Sequence, residues 1–348
     1  MEEGKLEVSL LREILKLKGS ENKGIVTSGH IGGDSAIIDV SEAQVKAQKF
    51  YNNDSNTLLV VKSDPITFPT AEPGRQAVIV NANDIACAGA LPFGFLSSII
   101  VPINTSFDEI KRIQEQIHQQ SIELGISILG GHTEISQSVK TPIVSGHMLG
   151  FVPQDFVVPN KLTEEEVILA IGFTGAEGTG IIISESGNLI HSALKNEEIE
   201  EGKRIGAQLR IVDLALDLNR KFQPSLIHDA TEGGVYGALY ELIAFSELSI
   251  ELNNQPRISI VTEKLASWLQ FNPFRLISSG MIIVSATEKK ALQILDYLKK
   301  EQMPCEKIGK VGTDKGILTL NGQVLDKPKG DEISTALKNL SKIRKGKK

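Results

Sequence analysis

Residues 77–92 read Ala-Val-Ile-Val-Asn-Ala-Asn-Asp-Ile-Ala-Cys-Ala-Gly-Ala-Leu-Pro, and the first half of the chain is best interpreted from this stretch. Its composition, rich in alanine, predicts a helix over residues 74–89. Asn83 and Asp84 interrupt this otherwise apolar segment. Burying an amide and a carboxylate without partners costs several kcal/mol, so these two side chains need a ligand or a hydrogen-bond network. The stretch therefore predicts a helix that carries functional polar groups.

Three further acidic residues of the first half each follow an apolar run or a glycine pair. They are Asp34 after Gly32-Gly33, Asp64 after a strand predicted over 57–62, and Glu134 at the end of Gly130-Gly131-His132-Thr133. The α/β folds collect functional groups at strand ends and glycine turns. Mg²⁺ takes one or two carboxylates, keeps waters and uses phosphate oxygens for the rest. Together with Asp84, these residues predict a site for Mg²⁺ and a polyphosphate, in which the amides of Gly130 and Gly131 contact phosphate oxygens.

Each of these residues also has a structural alternative. Asp34 suits a turn or a helix cap, and Asp64, which precedes Pro65, suits a simple strand end. His132 is equally compatible with a structural histidine. Its neighbours Thr133 and Glu134, beside a double glycine, favour the functional interpretation.

In the second half, the densest polar segment is Ile227-His228-Asp229-Ala230-Thr231-Glu232-Gly233-Gly234, which opens a predicted helix. Asp229 or Thr231 alone could cap that helix. A cap explains one polar group, whereas this segment has four. A second glycine-rich segment, residues 172–180, has neither the Gly-Lys-Ser/Thr of a P-loop nor the spacing of a dinucleotide-binding turn.

The chain organisation indicates two domains of mixed α/β or α+β class, because 348 residues exceed one typical domain. The break over residues 152–160 sets the predicted domains at 1–155 and 156–348. The predicted helices are 6–17, 74–89, 107–124, 201–218, 233–244 and 289–300. The predicted strands are 36–40, 57–62, 95–101, 126–129, 142–150, 166–172, 248–252 and 281–285.

Composition excludes several classes of function. A net charge of −6 and few aromatic residues argue against a nucleic-acid-binding surface. Only Cys87 and Cys305 are present, which excludes a disulfide framework and a cysteine-rich zinc site. No segment reaches the ~20 apolar residues of a membrane span, and no signal sequence is evident, so we expect a cytoplasmic protein without a membrane partner. The basic tail over residues 341–348 is predicted to be a frayed, solvated end.

Taken in order, these segments resemble the aminoimidazole-ribonucleotide (AIR) synthase superfamily, which also contains the hydrogenase maturation protein HypE, thiamine-monophosphate kinase and selenophosphate synthetase. The matching segments are Gly33-Asp34-Ser35-Ala36, Ser63-Asp64-Pro65, residues 81–86 with Gly89-Ala90-Leu91-Pro92, residues 130–134, and residues 228–234. The resemblance covers residues 5–320, and the second half is most similar to the HypE branch.

The resemblance implies a two-domain fold of the AIR synthase (PurM) type, with an N-terminal mixed-sheet domain that forms a homodimer and a C-terminal α/β domain. It further implies that ATP binds with Mg²⁺ and that the γ-phosphate passes to an acceptor. On this basis Asp34, Asp64, Asp84 and Glu134 are metal ligands, and Asn83 and residues 130–133 line the nucleotide site. The predicted nucleotide-binding residues of the second half are Thr231, Gly233 and Gly234. The residues with predicted catalytic roles are Asp84, His228 and Asp229.

Departures from the family motifs leave the acceptor open. No cysteine follows Cys305, where HypE has a terminal cysteine, and residues 28–34 lack the reactive cysteine of selenophosphate synthetase. Residues 63–68 replace the Asp-Gly-Val-Gly-Thr-Lys of AIR synthase. Thiamine-monophosphate kinase has a doubled aspartate where this chain has Asp34-Ser35. The first hypothesis is an ATP-dependent kinase or ligase/dehydratase acting on a small molecule or a protein end group, and the alternatives are a non-catalytic nucleotide-binding scaffold or a thiamine-monophosphate kinase.

Overall fold

The computed structural model describes residues 3–68 and 70–346. The chain divides into two compact units, Met1–Val157 and Val158–Lys348, so the boundary lies two residues beyond the predicted one. Ser341–Gly346 belong to a helix rather than to a frayed tail, while Lys347 and Lys348 lie outside the described residues. Within the described ranges, none of the helices combines the length and the apolar character that a membrane span requires.

The N-terminal unit is built on a mixed sheet of five strands. In chain order its elements are β1 (Gly4–Lys5), α1 (Val8–Ile14), β2 (Ile25–Thr27), β3 (Ile37–Ile38), α2 (Ser41–Tyr51), β4 (Thr57–Ile66), α3 (Pro73–Cys87), β5 (Leu91–Pro102), α4 (Phe107–Glu123), β6 (Ser127–Ser136) and β7 (Ile143–Pro153). The order in the large sheet is β1-β6-β5-β7-β4, and β2 pairs with β3 separately. Strand β5 runs parallel to β6 and antiparallel to β7, so the sheet is mixed as predicted.

Two strands of this unit run through segments that were predicted to follow their ends. Strand β4 continues through Asp64 to Ile66, because its whole length pairs with β7. Strand β6 continues to Ser136, and residues 130–134 lie inside it. A polar residue or a glycine does not end a strand whose backbone groups find partners on neighbouring strands. The prediction that Asp64 and the 130–134 segment follow strand ends is therefore wrong.

Helix α3 packs its apolar face against β4 and β7 and confirms the predicted 74–89 helix. Pro73 stands in its first turn, where a missing backbone N–H costs nothing. The Asn81 side chain donates to the backbone oxygens of Asp64 (3.0 Å) and Ala77 (2.8 Å). A Cβ at Gly146 would lie 2.4 Å from the Asn81 amide nitrogen, so only glycine admits this helix so close to β7.

The first helix and the strand at 36–40 are shorter than predicted.

The C-terminal unit has a seven-stranded sheet in the order β14-β13-β10-β12-β8-β11-β9. Its elements are β8 (Val167–Ile171), α5 (Ala176–Ser186), α6 (Asn196–Gly206), α7 (Val212–Phe222), β9 (Leu226–Asp229), α8 (Gly234–Ser246), β10 (Ser249–Leu252), α9 (Ile260–Leu269), β11 (Ile282–Ala286), α10 (Glu288–Lys300), β12 (Cys305–Gly312), β13 (Leu318–Leu320), β14 (Gln323–Val324) and α11 (Glu332–Gly346). Most neighbouring strands are antiparallel, and the core consists of aliphatic side chains from the sheet and α8.

The helix predicted over 201–218 is two helices, α6 and α7, joined by residues 207–211. The interruption follows from close backbone contacts. A Cβ at Gly280 would lie 2.1 Å from the Gln208 backbone oxygen, and one at Gly206 would lie 2.6 Å from the Gly180 Cα. The buried side chains of Leu209 and Ile211 hold the connecting segment against the unit. Helical periodicity continues across these residues in sequence, so it does not reveal the break.

We predict that Gly131→Ala destabilises the protein by about 1–3 kcal/mol, because overpacking against fixed backbone is costly. A Cβ at Gly131 would lie 2.2 Å from the Ser97 backbone oxygen of β5. Gly130→Ala is the matched control, since its Cβ would lie no closer than 3.7 Å to the Gly29 Cα. Urea unfolding of both variants measures the difference, and equal midpoints would contradict the prediction.

Candidate functional site

One charged cluster of the N-terminal unit joins a sheet strand to helix α3. Lys62 and Asp64 lie two residues apart on β4 and therefore share one face of the strand. The Lys62 Nζ is 2.8 Å from the Asp84 Oδ2 on α3 and 3.7 Å from the Asp64 Oδ2. Burial raises the pKa of Asp64, the Asp84 carboxylate raises it further, and Lys62 opposes both effects. The structure thus brings the predicted residues Asp64 and Asp84 together around a lysine.

The donor set of this cluster suits a divalent cation with a phosphate. The side chains of Asp64 and Lys62 are about 40% and 39% exposed, so both are open to a ligand. A pair of carboxylates can supply the one or two protein ligands that Mg²⁺ takes, and an ammonium group binds phosphate oxygens as a point charge. The sequence analysis did not single out Lys62. The sequence contained one signal for it: side chains alternate between the two faces of a strand, so Lys62 shares a face with Asp64.

The remaining predicted site residues of the N-terminal unit differ in their exposure and in the elements that carry them. Asn83 is completely buried within α3, whereas Asp34 is exposed in the connection between β2 and β3. Glu134 and His132 stand on the same face of β6, with the His132 Nε2 3.2 Å from the Glu134 Oε2. In residues 3–68 and 70–346 there is no group of three or more His, Cys, Asp or Glu side chains that could hold a metal ion. The four carboxylates predicted as metal ligands do not form such a group.

The predicted nucleotide residues of β6 line a narrow cleft next to helix α1. Residues 130–133 form one wall, and Ser28, Gly29 and side chains of α1 such as Leu11 complete it. The Gly29 backbone N–H donates to the Leu129 oxygen at 2.7 Å, which joins the glycine-rich loop to β6. A Cβ on Gly29 would lie 3.0 Å from the Gly130 Cα. The glycines here therefore have a packing role in addition to the predicted contact with phosphate.

The predicted catalytic residues of the C-terminal unit lie on β9. His228 and Asp229 are consecutive strand residues, so their side chains point to opposite faces of the sheet. The His228 Nε2 is 3.4 Å from the Glu241 Oε2 on α8, and Asp229 is buried. The two side chains therefore lie on opposite faces of the sheet.

The loop between β9 and α8 is held by backbone contacts and by one distant side chain. Gly233 and Gly234 have φ values of 76° and 62°, a conformation that favours glycine. A Cβ at Gly234 would lie 2.6 Å from the Leu276 backbone oxygen. The Thr231 oxygen accepts from the Gly234 N–H at 3.1 Å, and the Gly233 N–H donates to the Asp331 Oδ2 at 2.7 Å. The sequence analysis did not predict the contribution of Asp331, which comes from a distant part of the chain.

Glu177, in the first turn of α5, is the unusual titratable group of this unit. Its side chain hydrogen-bonds with Ser279, while its Oε2 is buried with no hydrogen-bond partner in the described part of the chain. The residue is only 8% exposed. Burial raises the pKa of Glu177 to about 7, and the carboxylates of Glu232 and Asp331 add to the rise against the effect of Ser279. A carboxyl that titrates near neutral pH can hold or release a proton.

Glu177 lies in the glycine-rich segment over residues 172–180 but was not among the predicted site residues. The available signal was a single acidic residue among the small residues of Gly175-Ala176-Glu177-Gly178-Thr179-Gly180. Small side chains allow close packing of the backbone, and a carboxylate within such a segment is buried with it. The burial itself, which shifts the pKa, depends on contacts with residues about 100 positions away.

We predict that Glu177→Gln reduces the pH dependence of stability between pH 4.5 and 7. In this range the folded chain keeps the proton that the unfolded chain releases, because the folded pKa of about 7 exceeds the ordinary value of 4.5. The free energy of unfolding therefore falls as pH rises, by on the order of 3 kcal/mol in total, and glutamine removes this loss. Urea unfolding of the parent and the variant at pH 5 and pH 8 measures this change in the free energy of unfolding.

Glu185→Gln is the matched control for this experiment, because Glu185 is an exposed residue of the same helix. We expect this variant to keep the pH dependence of the parent. The same loss of stability in Glu177→Gln and in the parent would show that Glu177 ionises normally in the folded protein.

Comparison with known proteins identifies the family. Residues 32–152 match the family AIR synthase related protein, N-terminal domain, and residues 163–321 match its C-terminal domain. A putative hydrogenase expression/formation protein of Methanocaldococcus jannaschii is 25% identical over 342 residues, which cover 95% of this chain and 96% of that protein. Carbamoyl dehydratase HypE of Escherichia coli is 22% identical over 295 residues, 82% of each protein. Thiamine-monophosphate kinase of Nitrosopumilus maritimus is 25% identical over 270 residues, 76% of this chain and 82% of that protein.

Solved structures share the fold. The crystal structure of E. coli HypE superposes with a TM-score of 0.74 at 19% identity, covering 95% of this chain and 100% of that one. A HypE structure in complex with ATP gives a TM-score of 0.63 at 17% identity, covering 92% and 93%. These likenesses confirm the predicted two-domain α/β fold. Since the two family matches span most of the sequence, the chain belongs to the AIR synthase-related (PurM) superfamily and is HypE-like in sequence and fold.

Proposed function

We propose that this protein is an ATP- and Mg²⁺-dependent enzyme that phosphorylates an oxygen of a small molecule or of a protein end group. The observation that carries the proposal is the cluster of Lys62, Asp64 and Asp84, in which a lysine of β4 lies between a carboxylate of the same strand face and a carboxylate of α3. A HypE protein of the same fold has been solved with ATP, which supports the nucleotide.

The chemistry of phosphoryl transfer fits these residues. Catalysis of this transfer depends mostly on position and on neutralising the charge of the phosphates. In the proposal, Asp64 and Asp84 hold Mg²⁺, which supplies positive charge at the phosphate oxygens when it is bound. Lys62, released from its two carboxylates, donates to a phosphate oxygen. The cleft wall over residues 130–133 contacts the nucleotide, and Asp34 and Glu134 remain proposed as further ligands.

The C-terminal unit is proposed to bind the acceptor through the loop from Asp229 to Gly234. The Gly233 and Gly234 backbone, in its left-handed conformation, leaves this loop without side chains at the start of α8. Of the two β9 residues, Asp229 precedes the loop directly and is the one we propose to act there, while His228 contacts Glu241 on the other face of the strand. Glu177 supplies a proton-exchanging carboxyl in the same unit.

We also propose a homodimer formed through the N-terminal unit. Strand β4 is the edge of the five-stranded sheet, and its outer side chains Leu59 and Val61 are 53% and 67% exposed. Exposed apolar residues on an edge strand are typical of an interface, since such strands otherwise tend to associate unspecifically. The opposite face of the same strand carries Lys62 and Asp64, so a partner on β4 would stand next to the proposed metal site.

Two alternatives remain for the function. A non-catalytic nucleotide-binding scaffold would be stabilised by Mg-ATP but would release no ADP with any metabolite. A thiamine-monophosphate kinase, which is the activity named for one relative, would form the diphosphate from thiamine monophosphate. ADP release, measured with a metabolite panel that includes thiamine monophosphate, separates the three possibilities.

We predict that Asp84→Ala abolishes the stabilisation of the protein by Mg-ATP. The variant removes one proposed Mg²⁺ ligand and the carboxylate that lies 2.8 Å from the Lys62 Nζ. Thermal unfolding with and without Mg-ATP measures the effect, which for the parent is about 2.7 kcal/mol at 100 times the dissociation constant. The exposed Asp54 provides the control variant Asp54→Ala. Equal stabilisation of Asp84→Ala and the parent would refute the proposed site.

We predict that Val61→Asp converts the dimer to a monomer, because it places a charge in an apolar interface. Val324→Asp is the control, since Val324 is equally exposed, at 68%, but belongs to the C-terminal unit. Sedimentation equilibrium of the parent and both variants gives the oligomeric state. A monomeric parent, or a Val61→Asp dimer as tight as that of the parent, would exclude β4 as the interface.

A further inference from the structure

A cavity of about 580 Å³ opens in the C-terminal unit beside the loop that precedes α5. Its wall comes from the 172–176 segment, the 204–211 segment, Leu214 of α7, Gly280 and residues 302–304. This volume lies within the ~300–1,000 Å³ of typical small-molecule sites. None of the residues to which we assigned nucleotide or metal binding lines it.

Among the described residues that line the cavity, the charged ones are Arg204 and Arg210. Each guanidinium pairs with a carboxylate of a neighbouring turn: Arg204 with Glu201 at 2.7 Å, and Arg210 with Asp213. Asp213 is 77% exposed, and exposed ion pairs contribute little, ~0–1 kcal/mol. Both guanidinium groups can therefore exchange these partners for an anion that enters the cavity.

The remainder of the wall is largely apolar. Met303, which is 38% exposed, stands at the lip. Phe173 and Leu214 are partly exposed, whereas Ile205 and Ile211 are buried at the inner surface. A wall of this kind binds the apolar body of a ligand, while the arginines bind its charged group. Inorganic anions alone would leave the apolar part of the cavity in contact with water.

The shape of the cavity is fixed by backbone contacts. Gly172 and Gly280 have φ values of 103° and 95°, which favour glycine. A Cβ at Gly280 would lie 2.1 Å from the Gln208 oxygen, so the segment that carries Arg210 packs directly on the glycine. The Gly172 N–H donates to the Pro304 oxygen at 2.8 Å and holds the opposite wall. A preformed cavity loses little entropy when a ligand binds.

We propose that this cavity binds an organic phosphate, whose phosphate group contacts Arg204 and Arg210 and whose apolar body contacts Phe173 and Met303. Two guanidinium groups match the two charges and the several acceptor oxygens of a phosphate monoester. The cavity shares no lining residue with the proposed Mg-ATP site, and the proposal does not depend on phosphoryl transfer by this protein.

Isothermal titration of the full-length protein with phenyl phosphate tests the proposal. We expect phenyl phosphate to bind at least tenfold more tightly than inorganic phosphate, because it fills both parts of the cavity, and phenol to show no binding. The double variant Arg204→Gln/Arg210→Gln should weaken phenyl phosphate binding at least tenfold. Met303→Glu, which adds a carboxylate at the exposed lip, should weaken it similarly with both arginines intact.

Two control variants separate this cavity from other sites. Arg220→Gln removes an arginine of α7 that pairs with Asp217 three residues away but does not line the cavity, and should bind phenyl phosphate like the parent. Asp84→Ala should also bind like the parent. Loss of binding in Asp84→Ala would place the probe at the proposed nucleotide site and overturn the proposal. Unchanged binding in the double variant, or equal affinity for inorganic and phenyl phosphate, would overturn it as well.

Discussion

The close packing of α3 on the β4–β7 strand pair determines the geometry of the N-terminal unit. It is possible because Gly146 and Gly150 of β7 have no Cβ: at Gly150 a Cβ would lie 2.4 Å from the Ile85 Cγ2, and at Gly146 a similar contact involves Asn81. Protein interiors are packed to crystalline density, so the absence of two methyl-sized groups sets the distance between the layers. At this distance the Asp84 carboxylate reaches Lys62 on the neighbouring strand.

Several glycines of this protein are required by close packing, including glycines in segments that predicted phosphate binding. A Cβ at Gly131 would clash with the Ser97 backbone oxygen, and a Cβ at Gly234 would clash with the Leu276 backbone oxygen. These requirements would exist without any ligand. The two interpretations are compatible, because a backbone without side chains that packs closely on its neighbours also leaves N–H groups open to a bound anion. A glycine in the sequence is therefore equally compatible with close backbone packing and with anion binding.

The acidic side chains of the two units differ in their exposure and in their neighbours. In the N-terminal unit, Asp64 and Asp84 are partly exposed and share a lysine. In the C-terminal unit, Glu177 is buried next to other carboxylates and titrates near neutral pH. The first arrangement suits a cation and a polyphosphate. The second suits an exchangeable proton, because burial moves the pKa of a carboxyl toward neutral pH.

The sequence by itself determined the class of the fold, the helix around Asn83 and Asp84, and the family, because helical periodicity and ordered motifs are local properties of a chain. It did not determine where β4 and β6 end, since strand ends depend on backbone partners that lie far away in sequence. The break between α6 and α7 and the separation of His228 from Asp229 likewise needed the packed structure. Lys62 and Glu177 became candidates only through their tertiary surroundings: a lysine acquires its role from the two carboxylates beside it, and a glutamate acquires its raised pKa from burial.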